Sequence, residues 1–186
     1  MGGPFATRVV SFTPGEGATF GHTRLPDVVL GPPQGGGENT GTTDVVSLGL
    51  GGEIVVGFDR VIVDGPGDDF TVFENAFSVP GATLRHWAEL AEVSVSVDGQ
   101  NWVSFQCDTA SSWPHPGCAG ARPVYASTAS GFCALDPRVS GGDGFDLATL
   151  GLREARFVRL RDLGTQGLMA PATGFDLDAV AVLNGR

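Results

Sequence analysis

Glycine and proline constrain this chain more than any other residue types do, with 29 glycines and 12 prolines among its 186 residues. Both residues favour turns and interrupt long helices. Short apolar runs lie between them, so the sequence predicts many short strands joined by loops. The clearest run, residues 92–97, alternates with a period of two and is followed at once by Asp98-Gly99, a pair typical of hairpins.

About nine or ten such runs occur along the chain, and they predict an antiparallel β-sandwich. The predicted strands are residues 8–12, 45–49, 53–58, 61–63, 70–74, 92–97, 102–105, 156–161 and 176–183.

The remaining segments complete the predicted architecture. Residues 84–91 and 147–152 are short helical candidates, and residues 107–144 are predicted to be a long loop insertion that carries all three cysteines. Trp102 follows the hairpin turn in the alternating pattern and is expected in the core. We find no linker and no internal repeat, so residues 1–186 are expected to form a single domain.

The charge balance excludes several classes of function. The net charge is −10, and all eleven basic residues are arginines. Without lysine, Schiff-base chemistry and P-loop phosphate binding are excluded. An acidic chain also lacks the basic stripe that nucleic-acid binding requires. No apolar run reaches the roughly 18 residues of a membrane-spanning helix.

The cysteines indicate an oxidising compartment. Cys107 and Cys118 flank a polar, turn-rich loop, which favours a disulfide between them, and Cys133 is left over. The alternative is three buried thiols in a cytosolic protein. No apolar leader is visible at the first residues. We therefore expect the mature part of a secreted or cell-surface protein.

Five motifs carry a resemblance to known families. Residues 93–102 (VSVSVDGQNW) and 155–160 (ARFVRL) resemble the hairpin and strand motifs of galactose-binding-like jelly rolls, such as discoidin and coagulation-factor C domains. Residues 47–52, 64–75 and 174–180 resemble a family of secreted bacterial cell-surface domains, found in myxobacteria and in exosortase-anchored proteins. The resemblance implies a jelly-roll fold and an extracellular location more than an activity, and the 107–144 loop departs from it.

Crowded acidic residues predict a calcium ion. Carboxylates close together repel one another, and Ca²⁺ relieves this with six to eight oxygen ligands. Pro66 occupies a position where an EF-hand loop needs a liganding side chain, so separate loops would have to build the site. The candidate ligands are Asp69, Glu74, Asn75, Asp143, Asp146, Asp176 and Asp178.

Strand periodicity adds two expectations about these acids. Asp176 and Asp178 lie two residues apart, so one face of the last strand would present both to one ion. Glu74 continues the face of Phe70 and Val72, which is expected to be buried. The alternative is that the acids form turns and pair with arginines, for which the candidates are Arg156, Arg159 and Arg161.

The sequence favours recognition over catalysis. It contains no G-x-S-x-G motif, and choosing Glu74 and Asp178 as a glycosidase pair would be arbitrary among so many acids. We expect a non-catalytic, calcium-stabilised recognition or adhesion domain at the bacterial cell surface.

Two alternatives name other partners. The first is a carbohydrate-binding module that uses the aromatic residues Trp113, Trp87 and Tyr125. The second is a structural subunit that self-associates in a surface assembly, through Cys133 or through its edge strands.

Overall fold

A computed structural model describes residues 2–78, 87–167 and 171–186. These residues form eleven strands, and every pairing between them is antiparallel. The prediction of an all-β antiparallel fold is therefore confirmed. The strands are β1 (Arg8–Thr13), β2 (Val46–Ser47), β3 (Glu53–Val63), β4 (Phe70–Phe73), β5 (Ala91–Ser96), β6 (Val103–Ser104), β7 (Cys118–Ala119), β8 (Asp143–Phe145), β9 (Glu154–Asp162), β10 (Asp176–Leu177) and β11 (Ala179–Val182).

The strands form a sandwich-like arrangement. The larger sheet has the order β1-β3-β9-β5-β6, with β7 also paired to β5. The smaller sheets are β11-β4-β8 and the pair β10-β2. Strands β10 and β11 follow one another along the chain and connect these two smaller sheets. The jelly-roll connectivity implied by the resemblance remains a prediction.

The core lies where the alternating apolar faces of the sheets meet. In β9, burial alternates from Val158 to Asp162, as the period-two pattern requires, whereas β3 and β5 are buried on both faces over most of their length. Phe70 of β4 stacks on Phe145 of β8 with ring centroids 5.2 Å apart. The principal core residues are Ile54, Val56, Phe58, Phe70, Val72, Val93, Val95, Phe145, Val158, Leu160, Val180 and Val182.

Several local predictions need correction. The runs 53–58 and 61–63 are one continuous strand, β3, with an irregular register opposite β9. Trp102 is only half-buried, because its ring lies on the outer face of the sheet, 4.6 Å beneath the guanidinium of Arg159. The predicted last strand divides at Asp178 into β10 and β11, which pair with different strands.

The helical predictions have mixed outcomes. Leu147–Leu150 forms a 3-10 helix, shorter than predicted and capped by the side chain of Asp146. The predicted helix at residues 84–91 lies partly outside the described residues. Its described part is not helical, since Trp87 pairs with Phe77 as an isolated β-bridge and Ala91 begins β5.

The predicted disulfide is present between Cys107 and Cys118, whose Cα atoms are 4.4 Å apart. Cys133 is free and exposed. The long loop is less irregular than predicted, since β7 and β8 both lie within or overlap residues 107–144. Among the described residues, no helix is long and apolar enough to cross a membrane.

Candidate cation site

The structure distributes the seven predicted calcium ligands over four places. One set comprises Glu74, Asn75 and Asp176, which lie together. Asp69 and Asp146 belong to a second set, and Asp143 and Asp178 each have separate partners. The first two sets contain further carboxylates and are considered in turn.

The buried carboxylate cluster consists of Glu74, Glu89 and Asp176. Glu74 directly follows β4, Asp176 begins β10, and Glu89 lies two residues before β5. Only 2% of Glu74, 6% of Glu89 and 5% of Asp176 is exposed to solvent. The expected burial of Glu74 is thus confirmed, and Glu89 was not among the predicted ligands.

Hydrogen bonds tie Asp176 into its surroundings. Its backbone N–H donates to Glu74 Oε1 at 3.4 Å, and Asn75 Nδ2 donates to its Oδ2 at 3.5 Å. Ser47 Oγ donates to its Oδ1. Glu89 accepts from the Trp87 side chain and from the backbone of residue 174. Two oxygens are left over, because Glu74 Oε2 and Glu89 Oε1 are buried without a hydrogen-bond partner.

The electrostatics of this cluster disfavour three ionised carboxylates. Burial raises the pKa of Glu74 well above its usual value, and the neighbouring Asp176 and Glu89 raise it further. Burial, together with Asp176, raises the pKa of Glu89 to about 8. Burial also raises the pKa of Asp176, against the hydrogen bonds from Ser47 and Asn75. No ion pair within the described residues brings an arginine to this cluster.

The donor set suits a hard divalent cation. The three carboxylates offer only oxygen ligands, and the cluster contains no sulfur or imidazole. Asn75 turns its amide nitrogen towards Asp176, and its Oδ1 accepts from the Thr42 N–H. A bound cation would supply a partner for Glu74 Oε2 and Glu89 Oε1, whose burial without one is costly. The donor chemistry therefore fits a hard divalent cation, although the oxygens of these three carboxylates are not gathered within 4.8 Å of one another as those of the next cluster are.

The loop carboxylate cluster consists of Asp64, Asp69 and Asp146. One oxygen of each lies within 4.8 Å of the others, so this cluster can also hold a metal ion. Asp69 is fully buried, Asp146 is half-buried and Asp64 is exposed.

Two of the three carboxylates in this second cluster, Asp69 and Asp146, already have hydrogen-bond donors. Asp69 Oδ1 accepts from the Gly65 N–H at 2.8 Å and from Asn184 Nδ2 at 2.9 Å, and its Oδ2 accepts from the Leu147 N–H at 2.8 Å. Asp146 Oδ1 accepts from the Ala148 N–H at 2.8 Å as a helix cap. These contacts show that Asp69 and Asp146 have structural roles, because their carboxylates accept hydrogen bonds from neighbouring loops and from the 3-10 helix.

Asp143 is neutralised by its neighbours. Its Oδ2 accepts from the N–H groups of Gly120 and Ala121, both at 2.9 Å, and its Oδ1 lies 3.1 Å from Arg122 Nη1. Burial nevertheless raises its pKa to about 6. Its arginine partner is Arg122, which was not among the arginines considered in the sequence.

Asp178 does not share the surroundings of Asp176. Both of its oxygens accept from the Gln34 N–H, at 2.9 and 3.1 Å. Burial is the main cause that raises its pKa, to about 8. The division of the last strand at this residue explains why the two carboxylates have different partners, although they are two residues apart.

The three aromatic candidates contact different parts of the chain. Trp113 is 46% exposed, and its Nε1 donates to the Ala121 carbonyl at 2.8 Å. Trp87 is half-buried and its side chain bonds to Glu89. Tyr125 is half-buried, and its hydroxyl donates to Glu38.

Glu89 is the main residue that sequence reasoning missed, and a signal for it exists. Counting backwards from the buried residues Val95 and Val93 in steps of two leads to Ala91 and then to Glu89. If this segment is taken as extended, the alternation predicts a carboxylate on the inward face. The prediction of a helix at residues 84–91 does not place Glu89 there.

Comparison with family models finds no match for this chain, and comparison with curated proteins also finds none. The resemblance to secreted bacterial cell-surface domains therefore remains a prediction based on the sequence motifs alone. The function of this chain must therefore be inferred from the site itself.

Proposed function

We propose that this chain is a non-catalytic recognition or adhesion domain of the bacterial cell surface, stabilised by a Ca²⁺ ion at the buried carboxylate cluster. One observation carries the cation: two oxygens, Glu74 Oε2 and Glu89 Oε1, are buried without a partner beside a third carboxylate. Ionised carboxylates are costly to bury unless a charge or hydrogen bonds compensate them.

Calcium suits this cluster better than the other common cations. Its coordination is flexible and takes six to eight oxygens, including carboxylates and carbonyls, whereas Mg²⁺ requires near-ideal octahedral geometry and retains water. A buried site built from loops and strand ends can supply additional main-chain carbonyls. Zinc favours sulfur and nitrogen ligands, and this cluster has neither.

Two further observations support the rest of the proposal. The Cys107–Cys118 disulfide is typical of proteins that mature outside the cytosol. The acids that would form a glycosidase pair, Glu74 and Asp178, are each only 2% exposed. Hydrolysis needs two carboxylates on either side of a cleft that a sugar can enter, so this pair is unsuited to catalysis.

The test is thermal unfolding in calcium and in excess chelator, with metal content measured on the untreated protein. We expect about one bound calcium per chain and a lower Tm after chelation, because an ion that binds only the folded state stabilises it by mass action. Magnesium at the same concentration is the control and should restore less of the Tm. The proposal would be contradicted if the untreated protein contains no metal and calcium does not change its Tm.

Carbohydrate binding is a second candidate, favoured by the exposure of Trp113. A self-associating surface subunit is a third, favoured by the exposed thiol of Cys133. Size-exclusion chromatography with and without reductant distinguishes these two. A recognition module predicts a monomer in both conditions, whereas an assembly subunit predicts larger species, which reductant would disperse if Cys133 links them.

A further inference from the structure

A depression lies on the outer face of the sheet β11-β4-β8. Thr71 of β4 pairs with Gly144 of β8 and with Ala181 of β11. Phe70 and Phe145, next to this pair, point into the core, so Thr71 and Gly144 share the opposite face. Because Gly144 has no side chain and Ala181 has a short one, the surface above Thr71 is hollow.

The floor of this depression carries an unused polar group. Thr71 is 1% exposed, and its Oγ1 has no hydrogen-bond partner. A buried hydroxyl without a partner is unfavourable by an amount comparable to a lost hydrogen bond. It therefore marks a position where a ligand hydroxyl would be stabilised.

Charged groups of opposite sign form the walls. Asp68, Thr71, Arg122 and the glycines at 141, 142 and 144 line a pocket of about 340 Å³, at the small end of the range for small-molecule sites. Asp68 Oδ2 projects over Gly144, so close that a Cβ on that glycine would lie 1.9 Å from it. Arg122 contributes one nitrogen to Asp143, and its side chain is 46% exposed.

The remaining hydrogen-bonding capacity is mixed. Among the described residues, no donor reaches the Asp68 carboxylate, and the other guanidinium nitrogens of Arg122 have no acceptor. The pocket thus offers an acceptor, a donor and a hydroxyl that can act as either. Tyr125 lies beside it, with Cδ2 3.0 Å from the position that a Cβ of Gly141 would occupy.

Local charge argues against an anion, because Asp69 and Asp146 lie near Asp68 and would repel it. A metal cation could bind Asp68 but could not accept a hydrogen bond from Arg122. A neutral molecule with neighbouring hydroxyl groups can serve both residues. It can donate to Asp68 and accept from Arg122 and Thr71, and an apolar face of the same molecule can rest against Pro137, which also lines the pocket.

We propose that this pocket binds a neutral sugar residue of a glycan through Asp68, Thr71 and Arg122. The inference rests on the recognition half of the proposed function and names its ligand class. It does not use the residues of the buried carboxylate cluster. It also locates binding on the face of the smaller sheet, in a pocket that Trp113 does not line.

The experiment is an NMR titration of the isotope-labelled, calcium-saturated protein. The probes are the methyl glycosides of glucose, galactose and mannose, taken to millimolar concentrations, with acetate as an anionic control and glycine as a zwitterionic control. We expect at least one glycoside to shift the amide signals of residues 68–71 and 141–144. Neither acetate nor glycine should shift them.

Thr71→Val is the decisive variant, because it keeps the shape of the floor and removes the unpartnered hydroxyl. Its Tm should equal or exceed that of the parent protein, while glycoside binding weakens about tenfold. Asp68→Asn should also weaken binding. Thr13→Val, on the exposed face of the edge strand β1, is the matched control and should leave binding unchanged.

Three results would overturn the assignment: no glycoside shifts these signals, the shifts fall instead around Trp113, or Thr71→Val binds as the parent protein does. Such a failure in protein that still requires calcium for its Tm would leave the calcium proposal standing. Conversely, glycoside binding by protein that holds no calcium would support the sugar site and contradict the calcium proposal.

Discussion

Two groups of three carboxylates lie in this molecule, and they differ in how their charge is compensated. In the loop carboxylate cluster, both oxygens of the fully buried Asp69 accept hydrogen bonds, two of them from backbone N–H groups. In the buried carboxylate cluster, Glu74 and Glu89 each retain an oxygen with no donor. The first group is the more compact, but the second has the stronger need for a cation.

Buried carboxylate oxygens that lack a hydrogen-bond donor therefore indicate a metal site more strongly than short distances between acidic residues do. Backbone amides can neutralise a buried carboxylate as effectively as a counter-ion, because several N–H dipoles converge on it. Where they are missing, the carboxylate must take up a proton or hold a cation. The two groups should therefore respond in opposite ways to calcium, and mutations can test this.

The largest effect is expected for Asp69→Ala. This change leaves the N–H groups of Gly65 and Leu147 and the amide of Asn184 without their acceptor in a buried site. We expect a loss of about 4 kcal/mol in the free energy of unfolding. Urea denaturation should give the same loss in calcium and in chelator, and a loss seen in calcium alone would assign the ion to this cluster.

Glu74→Gln should instead abolish the response to calcium. The variant keeps the size of the side chain and removes one charged ligand. We expect the stabilisation that saturating calcium provides, about 3 kcal/mol at a hundredfold excess over Kd, to disappear. In chelator the variant should be at least as stable as the parent, since glutamine does not have to take up a proton on folding as Glu74 does. Paired melts in calcium and chelator measure both effects.

The sequence anticipated one cluster better than the other for physical reasons. Alternation along Phe70–Phe73 extends to Glu74, so the burial of Glu74 could be predicted. Glu89 was missed because its segment resembles a helix. The backbone donors of Asp69 come from positions as distant as Leu147, and no local pattern records such contacts. Fold class and disulfide were predictable because they depend on local periodicity and loop composition.

The pH dependence of stability should also show whether a proton or a cation compensates the charge of the buried carboxylate cluster. Burial raises the pKa of Glu89 from 4.5 in the unfolded chain to about 8 in the fold. The folded protein therefore retains a proton that the unfolded chain releases. In chelator, stability should be full below pH 4.5 and fall as the pH rises towards about 8.

Saturating calcium should remove the part of this decline that Glu74, Glu89 and Asp176 cause, because the ion replaces the proton at these carboxylates. The part that Asp178 causes should remain. Tm measured across this range, with and without calcium, tests the exchange. Two parallel profiles would contradict it, and Glu89→Gln should make the profile recorded in chelator less steep, with Asp178 and Glu74 causing the remaining decline.

The smallest effect is expected for Asp146→Asn. Asp146 caps the 3-10 helix Leu147–Leu150 through the Ala148 N–H, and asparagine can cap in the same way. We expect less than about 1 kcal/mol of destabilisation and an unchanged response to calcium. This variant is the matched control for Glu74→Gln, since each change removes one carboxylate from its cluster. Loss of calcium binding here, measured by calorimetry, would reverse the comparison.

The most direct test is a crystal structure of the protein grown with calcium, with the ion located from its anomalous scattering. We predict one ion with oxygens of Glu74, Glu89 and Asp176 at about 2.3–2.6 Å. An ion among Asp64, Asp69 and Asp146, or none at either cluster, would contradict the claim that unpartnered buried oxygens mark the site.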